Sequence, residues 1–200
     1  MFNIIRSIIA SILLVGLIIF IKKSKSTRKR MLYVVSVCAS VMFAFLLFFV
    51  PFESLFITFD SPEKAYEYMT GESKVDLIVS GKECDLLITR DDIAFSNRLV
   101  PKTEDGWKIS GNFDSSTIEL NTPEKIFAMV YRYKNTNDYF LAINHDELES
   151  LDLSDDYGTE FYPFEWSSFY GKKRITYFAY IPNFNSEYTL TINGEKIVFN

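Results

Sequence analysis

The first 52 residues of the chain contain two long apolar runs and not one acidic residue. The runs cover residues 4–21 and 31–52, and their 18 and 22 residues suit helices that cross a hydrocarbon layer about 30 Å thick. Between them lies a basic loop, residues 22–30, with six charges: Lys22, Lys23, Lys25, Arg28, Lys29 and Arg30. The sequence therefore predicts a two-helix transmembrane hairpin over residues 1–52.

The basic loop also predicts an orientation. Short loops rich in Lys and Arg stay in the cytoplasm, so these six residues act as topology determinants. The N-terminus and the chain after residue 52 are then expected outside the cytoplasm, in a multi-pass protein of the cell membrane whose first partner is the lipid bilayer. Arg6 lies in the first turn and can reach the interface. A cleaved signal peptide is the alternative for the first run, but no small-residue cleavage site follows it.

The rest of the chain is strongly acidic. Residues 53–200 contain 26 acidic and 14 basic residues, a net charge of −12. Such a surface repels nucleic acid and anionic lipid headgroups, so nucleic acid is excluded as a partner and a neutral or cationic partner is expected. With Cys84 as its only cysteine, this region cannot contain an internal disulfide. Cys84 itself is expected to be a buried small apolar residue.

Residues 53–111 are expected to form a small α+β region. Ser61 is a favourable N-cap, Pro62 suits the first helical position, and Gly71 ends the pattern, so a helix is predicted over residues 62–69. Segments rich in β-branched and aromatic residues then alternate with turn residues. They predict antiparallel strands at residues 75–80, 84–89, 93–100 and 107–110.

Residues 112–200 favour an antiparallel β-sandwich. Thr122-Pro123-Glu124-Lys125 repeats the helix-start signature of residues 61–64 and is consistent with a duplication, yet the following segment reads better as two strands around residues 135–138. Further strands are predicted at residues 161–164, 174–182, 188–192 and 196–199, the last two joined by a turn at Asn193-Gly194. The overall fold expected is a transmembrane hairpin followed by an extracytoplasmic, mainly β domain, first α+β and then sandwich-like.

Four short motifs carry a resemblance to known proteins. They are F-x-S-P-E-K-A-Y at residues 59–66, D-G-W-K-I at 105–109, T-N-D-Y-F at 136–140 and Y-x-L-x-I-N-G-E-K-I at 188–197. Their order resembles that in small membrane-anchored proteins of Gram-positive bacteria. The resemblance implies a cell-envelope setting and no particular activity.

No residue of the chain is predicted to be catalytic or to bind a cofactor or metal ion. His145 is the only histidine and no G-x-S-x-G motif accompanies it, so the sequence does not predict a catalytic triad. His145 is instead expected at the surface. One His and one Cys leave a zinc site short of ligands. The acidic run at residues 145–156 could bind calcium, but its spacing differs from that of a calcium loop and favours a solvated segment.

Aromatic residues are concentrated near the C-terminus, with twelve between Tyr157 and Tyr188. Most are expected in the core, because strand residues alternate between two faces. Trp166, Phe169 and Tyr170 lie in a segment with serines, followed by glycine and basic residues, and form the predicted exposed binding patch.

These patterns favour a membrane-anchored, extracytoplasmic binding or interaction module without enzymatic activity. Its expected partner is an envelope protein or a glycan, and its oligomeric state is left open. One alternative is a hydrolase of envelope polymers that uses two carboxylates across a cleft. The other is a structural or toxin-neutralising membrane subunit that acts through the hairpin.

Overall fold

The protein is described from a computed structural model. It describes residues 2–23, 29–49, 52–90, 94–111, 115–120, 122, 125–134, 136–145, 150–167, 171–185 and 187–198. Helix α1 (Phe2–Lys23) and helix α2 (Lys29–Phe49) occupy the two apolar runs and contact each other. Most of their described apolar side chains are exposed.

The predicted transmembrane hairpin is contradicted. Among the described residues, no helix is both long enough and apolar enough to cross a membrane. The predicted spans 4–21 and 31–52, the multi-pass membrane location and the orientation derived from the basic loop are corrected accordingly.

After a single 3₁₀ turn at Phe52–Leu55, helix α3 (Pro62–Thr70) begins where the sequence predicts. The Ser61 side chain accepts a hydrogen bond from the backbone N–H of Lys64 at 3.4 Å, and Gly71 ends the helix in the left-handed conformation at φ 82°. Both ends of α3 are therefore set by local chemistry that the sequence displays.

The rest of the described chain is mostly antiparallel β structure in three sheets. The first sheet has the order β1-β2-β3-β4, the middle sheet β5-β6-β7-β10-β9 and the third sheet β12-β11-β8. The strands are β1 (Leu77–Ser80), β2 (Cys84–Arg90), β3 (Phe95–Thr103), β4 (Gly106–Trp107), β5 (Ser115–Glu119), β6 (Ile126–Tyr133), β7 (Asp138–His145), β8 (Leu153–Asp155), β9 (Tyr162–Ser167), β10 (Lys173–Pro182), β11 (Thr189–Ile192) and β12 (Glu195–Val198).

The three sheets and α3 pack as four layers. Ala65 and Tyr66 of α3 cover one face of the first sheet, whose other face packs on the middle sheet through residues such as Leu86 and Phe178. The opposite face of the middle sheet packs on the third sheet. The middle sheet is thus covered on both faces by elements from different parts of the chain.

This layering differs from the predicted β-sandwich, which has two sheets rather than three. The strands predicted on either side of residues 135–138 form as β6 and β7, so residues 126–133 are a strand where a duplicated unit would place its helix. Asn193 and Gly194 join β11 to β12 with φ of 52° and 84°, as a two-residue hairpin turn requires. Strands β5 and β8 are additional to those predicted.

Candidate functional site

A cleft of about 290 Å³ opens where the first and middle sheets meet the segment before β9. We call it the tyrosine cleft. Three of its wall residues are tyrosines, and they come from the segment after β8, the start of β9 and the end of β10. Its lining is formed by Val79, Ser80, Tyr157, Thr159, Glu160, Tyr162, Tyr180 and Pro182.

The segment that carries Tyr157 is fixed by Asp155. One oxygen of this carboxylate, Oδ1, accepts hydrogen bonds from the backbone N–H of Tyr157 at 3.1 Å and of Thr159 at 2.8 Å. The Tyr157 ring lies 5.6 Å, between centroids, from the buried ring of Tyr188. Burial, followed by the charge of Asp155, raises the pKa of the Tyr188 hydroxyl, so this supporting residue stays neutral. Tyr157 is therefore held in place while half of its surface remains open.

Tyr162 and Glu160 form a pair on one wall of the cleft. The Tyr162 hydroxyl donates to Glu160 Oε2 at 2.7 Å, and this bond raises the pKa of Tyr162 together with burial and the charge of Glu160. The hydroxyl proton of Tyr162 is therefore used in this bond, whereas the other carboxylate oxygen of Glu160 accepts no hydrogen bond from the described residues. The wall presents negative charge to the cleft.

Tyr180 forms a second pair behind the cleft. Its hydroxyl donates to Oδ1 of Asp138 at 2.8 Å. The pKa of Tyr180 is raised to about 12, mainly by burial and next by the bond to Asp138. Tyr180 separates the cleft from a carboxylate that is 1% exposed.

Asp138 joins the first and middle sheets. Its Oδ2 accepts the backbone N–H groups of Glu83 at 2.5 Å and of Cys84 at 2.9 Å, which belong to the β1–β2 turn and the start of β2. A Cβ atom added to Gly81 in this turn would lie 2.7 Å from Asp138 Oδ2 and 2.6 Å from the carbonyl oxygen of Cys84. Only glycine therefore lets the turn approach the carboxylate this closely.

Cys84 belongs to the same junction and is fully buried, as predicted. Burial, followed by the charge of Asp138 and a hydrogen bond to it, raises the pKa of the Cys84 thiol. A thiol that stays protonated and enclosed is a poor nucleophile. The junction of Asp138, Cys84 and Tyr180 thus holds two sheets together and supports the floor of the cleft.

The cleft offers a ligand one carboxylate. Glu160 is the only acidic side chain among the described residues that line it, whereas the glycosidase chemistry of the hydrolase alternative needs two carboxylates that face the substrate. Asp138 is enclosed by three hydrogen-bond donors and cannot touch a ligand while Tyr180 stays in place. The described lining of this cleft therefore does not supply the pair of carboxylates that the hydrolase alternative needs.

Of the predicted aromatic patch, Trp166 is described and does not line the tyrosine cleft. Trp166 is half-buried in β9, where its ring packs edge-on against Phe95 at 5.3 Å between centroids. Its indole N–H donates to Thr176 Oγ1 at 2.9 Å. Phe169 and Tyr170 lie outside the described residues. Trp166 is therefore a packing residue between the first and middle sheets.

The other predicted features contribute no site among the described residues. His145 is half-buried at the end of β7, not exposed, and Asp146, Glu147 and Glu149 of the acidic run lie outside the described part. Within that part no three His, Cys, Asp or Glu side chains cluster as metal ligands do. Of the basic loop, Lys22 and Lys23 end α1, Lys29 and Arg30 begin α2, and Lys25 and Arg28 are not described.

Sequence reasoning missed the tyrosine cleft, although two of its signals were visible. Tyr157, Tyr162 and Tyr180 all belong to the aromatic segment, and Asp155 precedes the turn at Gly158. What the sequence does not display is that β1 lies beside them. No protein-family model, curated protein or solved structure matches the chain, so the chemistry of the cleft is inferred from its own residues.

Proposed function

We propose that the protein is a non-enzymatic interaction module that binds its partner in the tyrosine cleft. The observation that supports the proposal is the convergence of three tyrosines around an open cavity of about 290 Å³. Tyrosine supplies a large apolar surface with a polar end at low entropic cost, and for this reason it is enriched where proteins recognise ligands and one another.

Pre-organisation of the cleft supports the same function. Asp155 fixes the backbone on either side of Gly158, Tyr188 supports the Tyr157 ring, and Asp138 fixes Tyr180. Side chains that are ordered before binding lose little conformational entropy when a ligand arrives. A rigid aromatic cleft is typical of a recognition site, and its single carboxylate offers no acid and base pair for hydrolysis.

Crosslinking in cells that produce the chain tests the proposal. We expect the wild type to capture a reproducible partner and Tyr157→Ala to lose it. Phe127→Ala is the matched control, since Phe127 on β6 is 45% exposed and lies outside the cleft lining; it should retain the partner. Glu160→Ala, another exposed position, provides a second cleft variant that removes no packed ring.

Two outcomes would contradict the proposal. One is that the wild type captures no reproducible partner. The other is that Tyr157→Ala, Glu160→Ala and Phe127→Ala all capture it as well as the wild type does, which would place the contact on another surface. Circular dichroism of each variant confirms that a lost partner does not reflect a lost fold.

A further inference from the structure

The hydrogen-bonding groups of the tyrosine cleft are unequally divided between donors and acceptors. Its lining has no lysine, arginine, histidine, asparagine, glutamine or tryptophan side chain among the described residues, so hydroxyl groups are its only side-chain donors. The hydroxyls of Tyr162 and Tyr180 already donate to carboxylates. The acceptors that remain include the second oxygen of Glu160 and the phenolic oxygen of Tyr162, whereas the Tyr180 oxygen accepts the backbone N–H of Lys82. The hydroxyl groups of Ser80, Tyr157 and Thr159 can donate or accept.

Most charged side chains in and around the tyrosine cleft are acidic. Glu160 lies in the lining, Asp138 lies behind Tyr180, and Asp155 and Asp156 precede Tyr157. Two lysines lie nearby: Lys102 is paired with Asp85 at 2.7 Å and donates to the carbonyl oxygen of Gly81, next to Ser80, and Lys196 is 3.9 Å from Asp156 on the exposed surface. Residues 53–200 together carry a net charge of −12. Aromatic rings beside a carboxylate attract cations through both the ring quadrupole and the charge.

From these features we infer that the tyrosine cleft binds a lysine or arginine side chain of a partner polypeptide. Both side chains are donors without acceptors, which complements a lining that is rich in acceptors. The cavity is at the small end of the range for ligand sites, about 300–1,000 Å³, and suits a single long side chain. This inference rests on the proposed function, because it specifies the ligand of the same cleft.

A polypeptide is favoured over a free amine because of β1. Val79 and Ser80 line the cleft and belong to β1, which pairs only with β2 in the first sheet and is therefore an edge strand in the described chain. An edge strand offers backbone groups to an extended partner segment. A small amine could fill the cleft but could not use those groups.

The inference is tested by NMR titration of the full chain with a synthetic pentapeptide that has a central lysine between valine and threonine residues. The same peptide with norleucine in place of lysine is the neutral probe. We expect the lysine peptide to bind at least tenfold more tightly in low salt and to shift the resonances of the cleft residues. The preference should shrink as the salt concentration rises.

Variants separate charge from shape. Glu160→Gln should weaken binding of the lysine peptide about tenfold while leaving the norleucine peptide unaffected. Glu195→Gln, which removes an equal charge from the exposed β11–β12 hairpin, is the matched control and should leave both affinities unchanged. Tyr157→Ala should weaken both peptides.

The possible results distinguish this inference from the proposed function. If both peptides bind equally, with dependence on Tyr157 and none on Glu160, cation recognition is wrong and the cleft remains a binding site. If N-acetyl-lysine amide binds as tightly as the pentapeptide, the ligand is a small cation and the polypeptide source is wrong. If no probe shifts the cleft resonances, the inference fails, and the crosslinking comparison decides the proposed function independently.

Discussion

The two faces of the middle sheet are packed in different ways. Towards the third sheet the core is formed mainly by aliphatic side chains such as Leu141, Ile143 and Ile181. Towards the first sheet it contains Phe140, Phe164 and Phe178, and it ends at the buried carboxylate of Asp138. The face towards the third sheet is therefore packed mainly by apolar burial, and the face towards the first sheet adds a buried carboxylate. Both sides contribute to the tyrosine cleft, since Asp155 and Tyr188 hold Tyr157 on the side of the third sheet and Asp138 holds Tyr180 on the side of the first.

The first way to probe this comparison is to remove one large side chain from each face. Phe140 and Leu141 are neighbours on β7, both are fully buried, and they point to opposite faces. We expect Phe140→Ala to lower the free energy of unfolding by about 3–5 kcal/mol and Leu141→Ala by about 2–5 kcal/mol. Urea unfolding measures both, and a loss below about 1 kcal/mol in either variant would mean that the corresponding face is not tightly packed.

The second probe is the buried carboxylate of Asp138, at the edge of the face towards the first sheet. Asp138→Ala leaves two backbone N–H groups and the Tyr180 hydroxyl without their acceptor, so we expect a loss of about 3 kcal/mol. The exposed Asp152 provides the control, since Asp152→Ala should change stability by less than about 0.5 kcal/mol. Equal effects of the two substitutions in urea unfolding would show that the Asp138 bonds are unimportant.

The third probe is the turn that approaches Asp138. Gly81→Ala adds a Cβ atom 2.8 Å from Cζ of Phe140 as well as against the carboxylate, and we expect a loss of about 1–3 kcal/mol. Gly16→Ala in α1 meets nothing within 4 Å and should not lower the melting temperature. A Gly81→Ala variant that melts with the wild type would show that the first and middle sheets separate readily at this edge.

The smallest effect concerns the Tyr180 hydroxyl. Tyr180→Phe removes one hydrogen bond to Asp138 and should lower the free energy of unfolding by about 1 kcal/mol at pH 7. Because the pKa of Tyr180 is raised from 10.0 to about 12, its stabilising effect is complete below pH 10 and is lost as the pH rises to 12. The wild type should therefore lose more stability than Tyr180→Phe across that interval, and parallel pH profiles in urea unfolding would contradict this.

The sequence predicted those elements that depend on neighbouring residues. Ser61 and Pro62 begin α3, and Asn193-Gly194 closes the last hairpin, because each signal acts within a few positions. Strands β5 and β8 were missed because Ser115–Glu119 and Leu153–Asp155 have little of the β-branched or aromatic pattern that marks a strand. For α1 and α2 the apolar pattern did predict helices, but its extension to membrane spans was wrong.

The cleft was not predictable for a different reason. Asp138 bonds to residues 54 and 55 positions earlier in the chain, and no local pattern records such a contact. The same holds for Trp166. Its neighbours in the sequence favoured an exposed position, whereas its ring packs against Phe95 of the first sheet. Contacts between sheets depend on the stacking of the layers, which a single sequence does not display.

The position of the middle sheet also has a consequence for biosynthesis. Its aliphatic face is covered by β11 and β12, which follow every strand of the middle sheet along the chain. Because synthesis proceeds from the N-terminus, the middle sheet is made before these strands, and this face stays exposed to water until they emerge from the ribosome. The nascent chain thus presents an apolar surface during synthesis, and a premature stop before Thr189 would leave that surface uncovered in the released product.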